Sequence, residues 1–183
     1  MMRTRTIRRG FTLVEAISTM VILSVLGVVT SRLIFTASDV YLTSAARSEV
    51  SSVASASLER IVAELRQVPV RSSSSPAAPD LTSITPSSVA WNAGGAGAKA
   101  ITLSGNDLNL TEGGTTARLA SNVTAFSVAA FDQSGAALAA NLSGSALDAV
   151  RTIEVSVTLS RSGLTETLRT RVFLRSMQQG ATP

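Results

Sequence analysis

Glu15 is the first residue whose surroundings raise a chemical question. It is the one charge in Phe11–Ser31, a run of 21 residues that is otherwise apolar or small and holds no proline. A carboxylate inside hydrocarbon costs on the order of 2–3 kcal/mol or more, so such a group usually has a partner and a task. Glu15 either sits near enough to the end of the run to reach lipid headgroups, or meets a cation brought to it. Other candidates for chemistry are weaker. Gly94-Gly95-Ala96-Gly97-Ala98-Lys99 suggests a phosphate loop but lacks the Gly-Lys-Ser/Thr ending, and reads as a flexible loop. Asn106-Asp107 and Asp132-Gln133-Ser134 offer oxygens that calcium could use, yet turn chemistry explains both. Trp91 fits a core better than a ligand platform. No pair of carboxylates is spaced for acid–base work. The chain has neither cysteine nor histidine, which excludes disulfides, Cys/His zinc sites and Cys–His or Ser–His nucleophiles. No catalytic residue, metal site or cofactor is expected.

The charge balance points the same way. Of 16 Lys+Arg, four (Arg3, Arg5, Arg8 and Arg9) precede Gly10, and no acid does; the remaining 12 are matched by 12 Asp+Glu. A nucleic-acid binder carries its basic patch on the folded part and supplies aromatic rings for stacking, and here aromatics are 4% of the chain. The net +4 therefore belongs to a leader, and no direct nucleic-acid partner is expected.

The element that must hold Glu15 is a helix. At 1.5 Å per residue the run from Phe11 spans roughly 30 Å, the thickness of a bilayer's hydrocarbon core. Arginines ahead of it hold the amino terminus in the cytoplasm by the positive-inside rule, with the rest of the chain outside. The helical pattern continues: Leu33, Ala37, Val40, Tyr41 and Ala45, then Ala54, Leu58, Ile61, Val62 and Leu65, recur at three- and four-residue steps on one face. Arg60 and Glu64 can pair one turn apart on a polar face. A continuous helix to Val68 would be about 85 Å long, with Gly27 a plausible soft point. Residues 69–88, rich in Pro, Ser and Ala, read as a linker.

Beyond it, strands alternate with tight turns. Gly105-Asn106 joins Ile101–Leu103 to Leu108–Leu110, placing Leu103 opposite Leu108 and Ile101 opposite Leu110. Gly113-Gly114 makes the next turn, with Leu108 opposite Leu119 and Asn109 opposite Arg118. Asn122–Phe131 reads as a strand, Ala136–Ala149 as a loop. Ser162-Gly163 closes the last hairpin, in which Ile153 faces Val172, Val155 faces Thr170 and Val157 faces Leu168. Glu154 then meets Arg171, and Thr158 meets Thr167, on the other face.

Arg9-Gly10-Phe11-Thr12-Leu13-Val14-Glu15-Ala16, a basic leader ending in Gly and followed by Phe, Thr-Leu-hydrophobic-Glu and a long apolar helix, resembles the processing site of type IV prepilins. The resemblance implies cleavage between Gly10 and Phe11 by a membrane prepilin peptidase, and N-methylation of Phe11 by the same enzyme. It further implies that Glu15 pairs with the amino terminus of a neighbouring subunit during assembly. The physics agrees: cleavage removes the arginines and leaves one amine as partner for one acid. The last sixty residues, from a Phe-containing strand through Asp-Gln-Ser-Gly to Val-Phe-Leu-Arg175, resemble the larger minor pilins and J-type pseudopilins.

The expected fold is therefore α+β and pilin-like: a long amino-terminal helix, membrane half plus amphipathic half, packed on an antiparallel β-sheet head. Its parts are a leader (1–10), a transmembrane or filament-core half (11–35), an amphipathic half (36–68), a linker (69–88), a β-rich head (89–176) and a flexible tail (177–183). The expected role is that of a non-enzymatic subunit, a minor pilin or pseudopilin. Its partners would be the prepilin peptidase/methyltransferase, the inner membrane and other pilin-like subunits, met through the amino-terminal helix. The competing readings are an exported β-rich binding domain with a twin-arginine leader, from Arg8-Arg9-Gly10-Phe11, and a plain membrane-anchored one. The first lacks a good small-residue cleavage site, and the second leaves the Gly-Phe-Thr-Leu-Val-Glu sequence unexplained.

Overall fold

A computed structural model describes residues 12–71 and 77–174. The chain divides into two units, Met1–Ala45 and Ala46–Pro183. Helix α1, Leu13–Arg66, contributes to both. It is unbroken at Gly27, where an added Cβ would meet nothing within 4 Å. In the first unit its side chains are almost all exposed, Leu33, Val40 and Tyr41 among them. Burial begins at Val50 and continues through Ala54, Ser57, Ile61, Glu64 and Leu65. The apolar stripe read along the whole helix thus meets the head only through its last third, where Leu58 and Val62 are half-buried against the same core.

The head holds two antiparallel sheets. The first is formed by β1 (Leu81–Thr85), β2 (Ser88–Asn92), β3 (Ala98–Ser104), β4 (Asp107–Glu112), β5 (Thr115–Ala120) and the short β7 (Leu142–Ser143), in the order β5-β4-β3-β2-β1-β7. The second is β6 (Val123–Phe131), β8 (Thr152–Arg161) and β9 (Leu164–Phe173), in the order β6-β8-β9. Alternation explains the strands. Along β8, Ile153, Val155 and Val157 are fully buried, and β-branched side chains suit a pleated surface. With Trp91, Ile101 and Leu108 of the first sheet and Ile61 and Leu65 of α1 they make one core. Each such side chain contributes about 1.5–3 kcal/mol on burial. The architecture is the α+β, pilin-like one: a long amino-terminal helix followed by a β-rich head.

Registers set by turns agree with the sequence. Leu103 faces Leu108 and Ile101 faces Leu110; in the last hairpin, Ile153, Val155 and Val157 face Val172, Thr170 and Leu168. Ser162 and Gly163 both adopt positive φ, 53° and 77°, the backbone that a two-residue hairpin turn of matching twist requires. Three expectations need correction. Residues 81–85 are not linker but β1, whose Leu81 and Ile84 turn into the core. Their register against β2 carries an irregularity between Leu81 and Ser83, which breaks the strict alternation a sequence reader looks for. Residues 136–149 are not all loop: β7 pairs with β1, and a 3-10 turn at Gly144–Ala149 buries Leu147. Finally, Leu108 faces Ala120, one residue beyond Leu119, because a bulge follows it.

Candidate functional site

At its amino-terminal end α1 is capped by Thr12. The Glu15 N–H donates to Thr12 Oγ1 at 3.3 Å, and the Ala16 N–H to the Thr12 carbonyl oxygen at 3.1 Å. Thr-x-x-Glu is the spacing of a capping box, a signal present in the sequence that the reading of Glu15 as a lone acid missed. The side chain of Glu15 is exposed and makes no hydrogen bond or ion pair among the described residues. It lies in the first turn, where the helix dipole favours an anion. Gly10 and Phe11, the expected cleavage and methylation positions, lie outside the described residues.

The surface that follows is apolar on every side: Leu13, Val14, Ile17, Met20 and Leu23 are each more than half exposed. Its best 18-residue window has a mean hydropathy of 2.1 with none of it buried, so α1 is long and apolar enough to cross a membrane. Four of the five hydroxyls from Leu13 to Ser31 are already satisfied. Ser18, Ser24 and Thr30 donate to the carbonyls of Val14, Met20 and Leu26 at 2.7–2.8 Å, and Thr19 to that of Ala16 at 2.9 Å. Such back-bonding is how a polar side chain is tolerated in lipid. From Leu13 to Ser31 Glu15 is the one charged group, and it is without a partner among the described residues.

Charged clusters of the head are structural. Lys99, expected in a flexible loop, instead lies in β3 and is buried between Glu64 Oε2 at 3.0 Å and Glu112 Oε1 at 2.9 Å. Glu64 Oε1 takes Arg60 at 2.6 Å, so the expected i,i+4 pair forms, but with Glu64 buried rather than on a polar face. Hydrogen bonds to Glu112 and then Glu64 raise the pKa of Lys99, outweighing its burial. Burial disfavours the charge on Glu154, but Arg171 at 2.6 Å and Arg169 overcome it and hold its pKa below the ordinary value. The Arg171 guanidinium also lies 4.3 Å from the centroid of the Phe131 ring. Asp132 Oδ1 accepts from the Ser134 N–H, the Ser134 hydroxyl and the Ala136 N–H at 2.7–2.9 Å, which makes it a turn residue. Trp91 is core. Among the described residues no three His, Cys, Asp or Glu side chains are grouped so as to hold a metal.

A capped apolar helix long enough to cross a membrane, with an open carboxylate in its first turn, together with a β-rich head, is the class of arrangement that fits membrane anchoring. The comparison with protein families narrows it. Residues 5–31 match the family described as the prokaryotic N-terminal methylation motif, a stretch that takes in Gly10, Phe11 and Glu15 and stops short of the head. The chain thus carries the motif characteristic of type IV prepilin-like proteins. That motif supports prepilin-type processing, implies assembly with other pilins, and fits membrane anchoring. No curated protein matches the chain.

Proposed function

We propose that the chain is a type IV pilin-like structural subunit, a minor pilin or pseudopilin, built into a pilus or a type II secretion pseudopilus. It is made as a single-pass precursor in the inner membrane, amino terminus in the cytoplasm and head outside. Prepilin peptidase cuts between Gly10 and Phe11 and methylates the amine of Phe11. Residues 11–35 then become filament core, and Glu15 meets the terminal amine of an adjacent subunit. The carrying observation is the exposed Glu15 carboxylate, without a side-chain partner among the described residues, inside the methylation motif and at the head of an exposed apolar helix. Two charges that are costly alone in lipid become tolerable together, so their pairing also fixes how neighbouring helices align. A larger head with no cysteine, and so no disulfide-closed loop, favours the minor class over the abundant subunit.

The substitution Glu15→Ala tests the assignment. Membrane insertion is expected to persist, because the apolar span is unchanged, while recovery of the chain with other pilin-like subunits in the assembled fraction is lost. Undiminished co-assembly of the mutant would remove the role given to Glu15.

A further inference from the structure

Glu15 is not the only charge left open along the exposed helix. Between Leu13 and Leu42 the sequence holds three charged residues: Glu15, Arg32 and Asp39. All are exposed, and no side chain of the three has a hydrogen bond or ion pair among the described residues. Around the last two the surface stays apolar, with Leu33, Phe35 and Val40 exposed. Arg32 and Asp39 are seven residues apart, about 10.5 Å along the axis, too far for the pairing that three- or four-residue spacing allows within a helix. Seven residues is instead one heptad, which returns to the same side. Counted in heptads, Glu15 falls on one track of a helix–helix seam with Ile22, Val29 and Thr36, and Arg32 and Asp39 on the other with Ser18 and Val25. The three charges of this stretch thus share one seam.

We propose that Arg32 of one copy of this chain pairs with Asp39 of a second copy, in a parallel helix pair displaced along its axis. Self-complementarity selects a second copy as the partner. Without displacement, Arg32 stands against Arg32 and Asp39 against Asp39, and like charges oppose the pairing. Sliding one helix outward by seven residues brings its Arg32 level with the other's Asp39. The pairing rests on the assembly reading given above, in which the amine of residue 11 meets Glu15; that contact asks for a slide of four residues. A displacement of five to six residues, about 8 Å, leaves each pair within about 3 Å of level along the axis, which Arg and Glu side chains span. In both contacts the outer copy gives the cation and the inner copy the acid. One displacement serves both, so the second pair acts as a register mark outside the apolar span.

The absence of native cysteine makes cross-linking a clean test. Arg32→Cys and Asp39→Cys chains are co-expressed, full length, with the assembly machinery, and oxidised in place. At an interaxial distance of 8–10 Å, facing Cα atoms of residues 32 and 39 come about 5–6 Å apart at this displacement, within disulfide reach. Two copies of residue 32 do not. The expected product is the mixed dimer, bridged from position 32 of one copy to position 39 of the other, with little of either homodimer. Dominant homodimers bridged between like positions, no dimer from chains that assemble normally, or adducts only with a pilin-like protein of different mass would each overturn the proposal. The charge exchange adds a second arm: Arg32→Asp is expected to lose assembly, and Arg32→Asp with Asp39→Arg to regain it. No loss in the single exchange counts against the pair. Wild-type chain in the sheared filament fraction without a mixed dimer defeats the Arg32–Asp39 pair alone. Wild-type chain that never enters that fraction defeats the assembly reading and the pair with it.

Discussion

Lys99 joins three elements through two carboxylates, Glu64 of α1 and Glu112 of β4. Removing one member of a buried ion network leaves a charge without its partner, which is costlier than never having had the pair. Lys99→Met is therefore expected to destabilise the full chain in detergent by about 3 kcal/mol, read as a lower urea midpoint. Pairing it with Glu64→Leu should recover much of the loss. A Lys99→Met chain as stable as its parent contradicts the network. Lys99 and Glu154 also set a pH window. The pKa of Lys99 is raised in the folded state, so its contribution is present below 10.5 and is lost as pH rises through the folded value. The pKa of Glu154 is lowered, so its contribution is present above 4.5 and is lost as pH falls through the folded value. With no histidine in the chain, the urea midpoint should be flat across neutrality and fall only at the two extremes. A step near neutral pH would sink this account. From the sequence, Glu154 against Arg171 was legible because register follows from the hairpin turn. Glu64 was not, since its i,i+4 partner Arg60 made it look solvated, and Lys99 lies thirty-five residues away in sequence.

Among the elements, those bounded by two-residue turns that hold glycine could be read directly. Gly163, at φ 77°, and its neighbour Ser162 fix the register of β8 on β9, and with it which side chains enter the core. Gly163→Ala puts a Cβ where L-residues are strained, though nothing lies within 4 Å to clash with it. The cost is conformational, about 1–2 kcal/mol, and should appear as a lower urea midpoint with an unchanged denaturant slope. An unaltered midpoint would contradict the turn assignment. β1 and β7 were hidden for the converse reason. β7 is two residues long, and β1 follows a Pro-Ser-Ala stretch that resembles a linker in composition. β7 is a strand only through a partner far along the chain, Leu142 with Ile84 and Ser143 with Ser83, which no local pattern announces. β1 pairs locally with β2, Thr85 with Ser88, but the irregularity after Leu81 and a turn without glycine hide that hairpin. For α1, the periodic stripe found the helix but overstated its contact with the head, because the same apolar spacing serves a buried face from Val50 onward and an exposed one before Ala45.

Over the whole molecule, the sequence divides its information unevenly. The amino-terminal thirty residues carry a spacing of Gly, Phe and Glu that local chemistry constrains, and the family comparison meets the chain there and nowhere in the head. The head carries packing, turns and ion pairs, which describe a stable β-rich domain and leave its contact partners to shape and charge. The central proposal therefore lies at the leader: that four arginines hold the precursor, and that their removal frees the amine proposed to meet Glu15. Mass spectrometry of the amino terminus of the chain purified from its native membrane or filament fraction tests that claim most directly. The account predicts a mature chain that begins at Phe11 and carries a methyl group on its α-amine. A chain that keeps Arg3 through Arg9, or one that begins beyond Ser31, contradicts it.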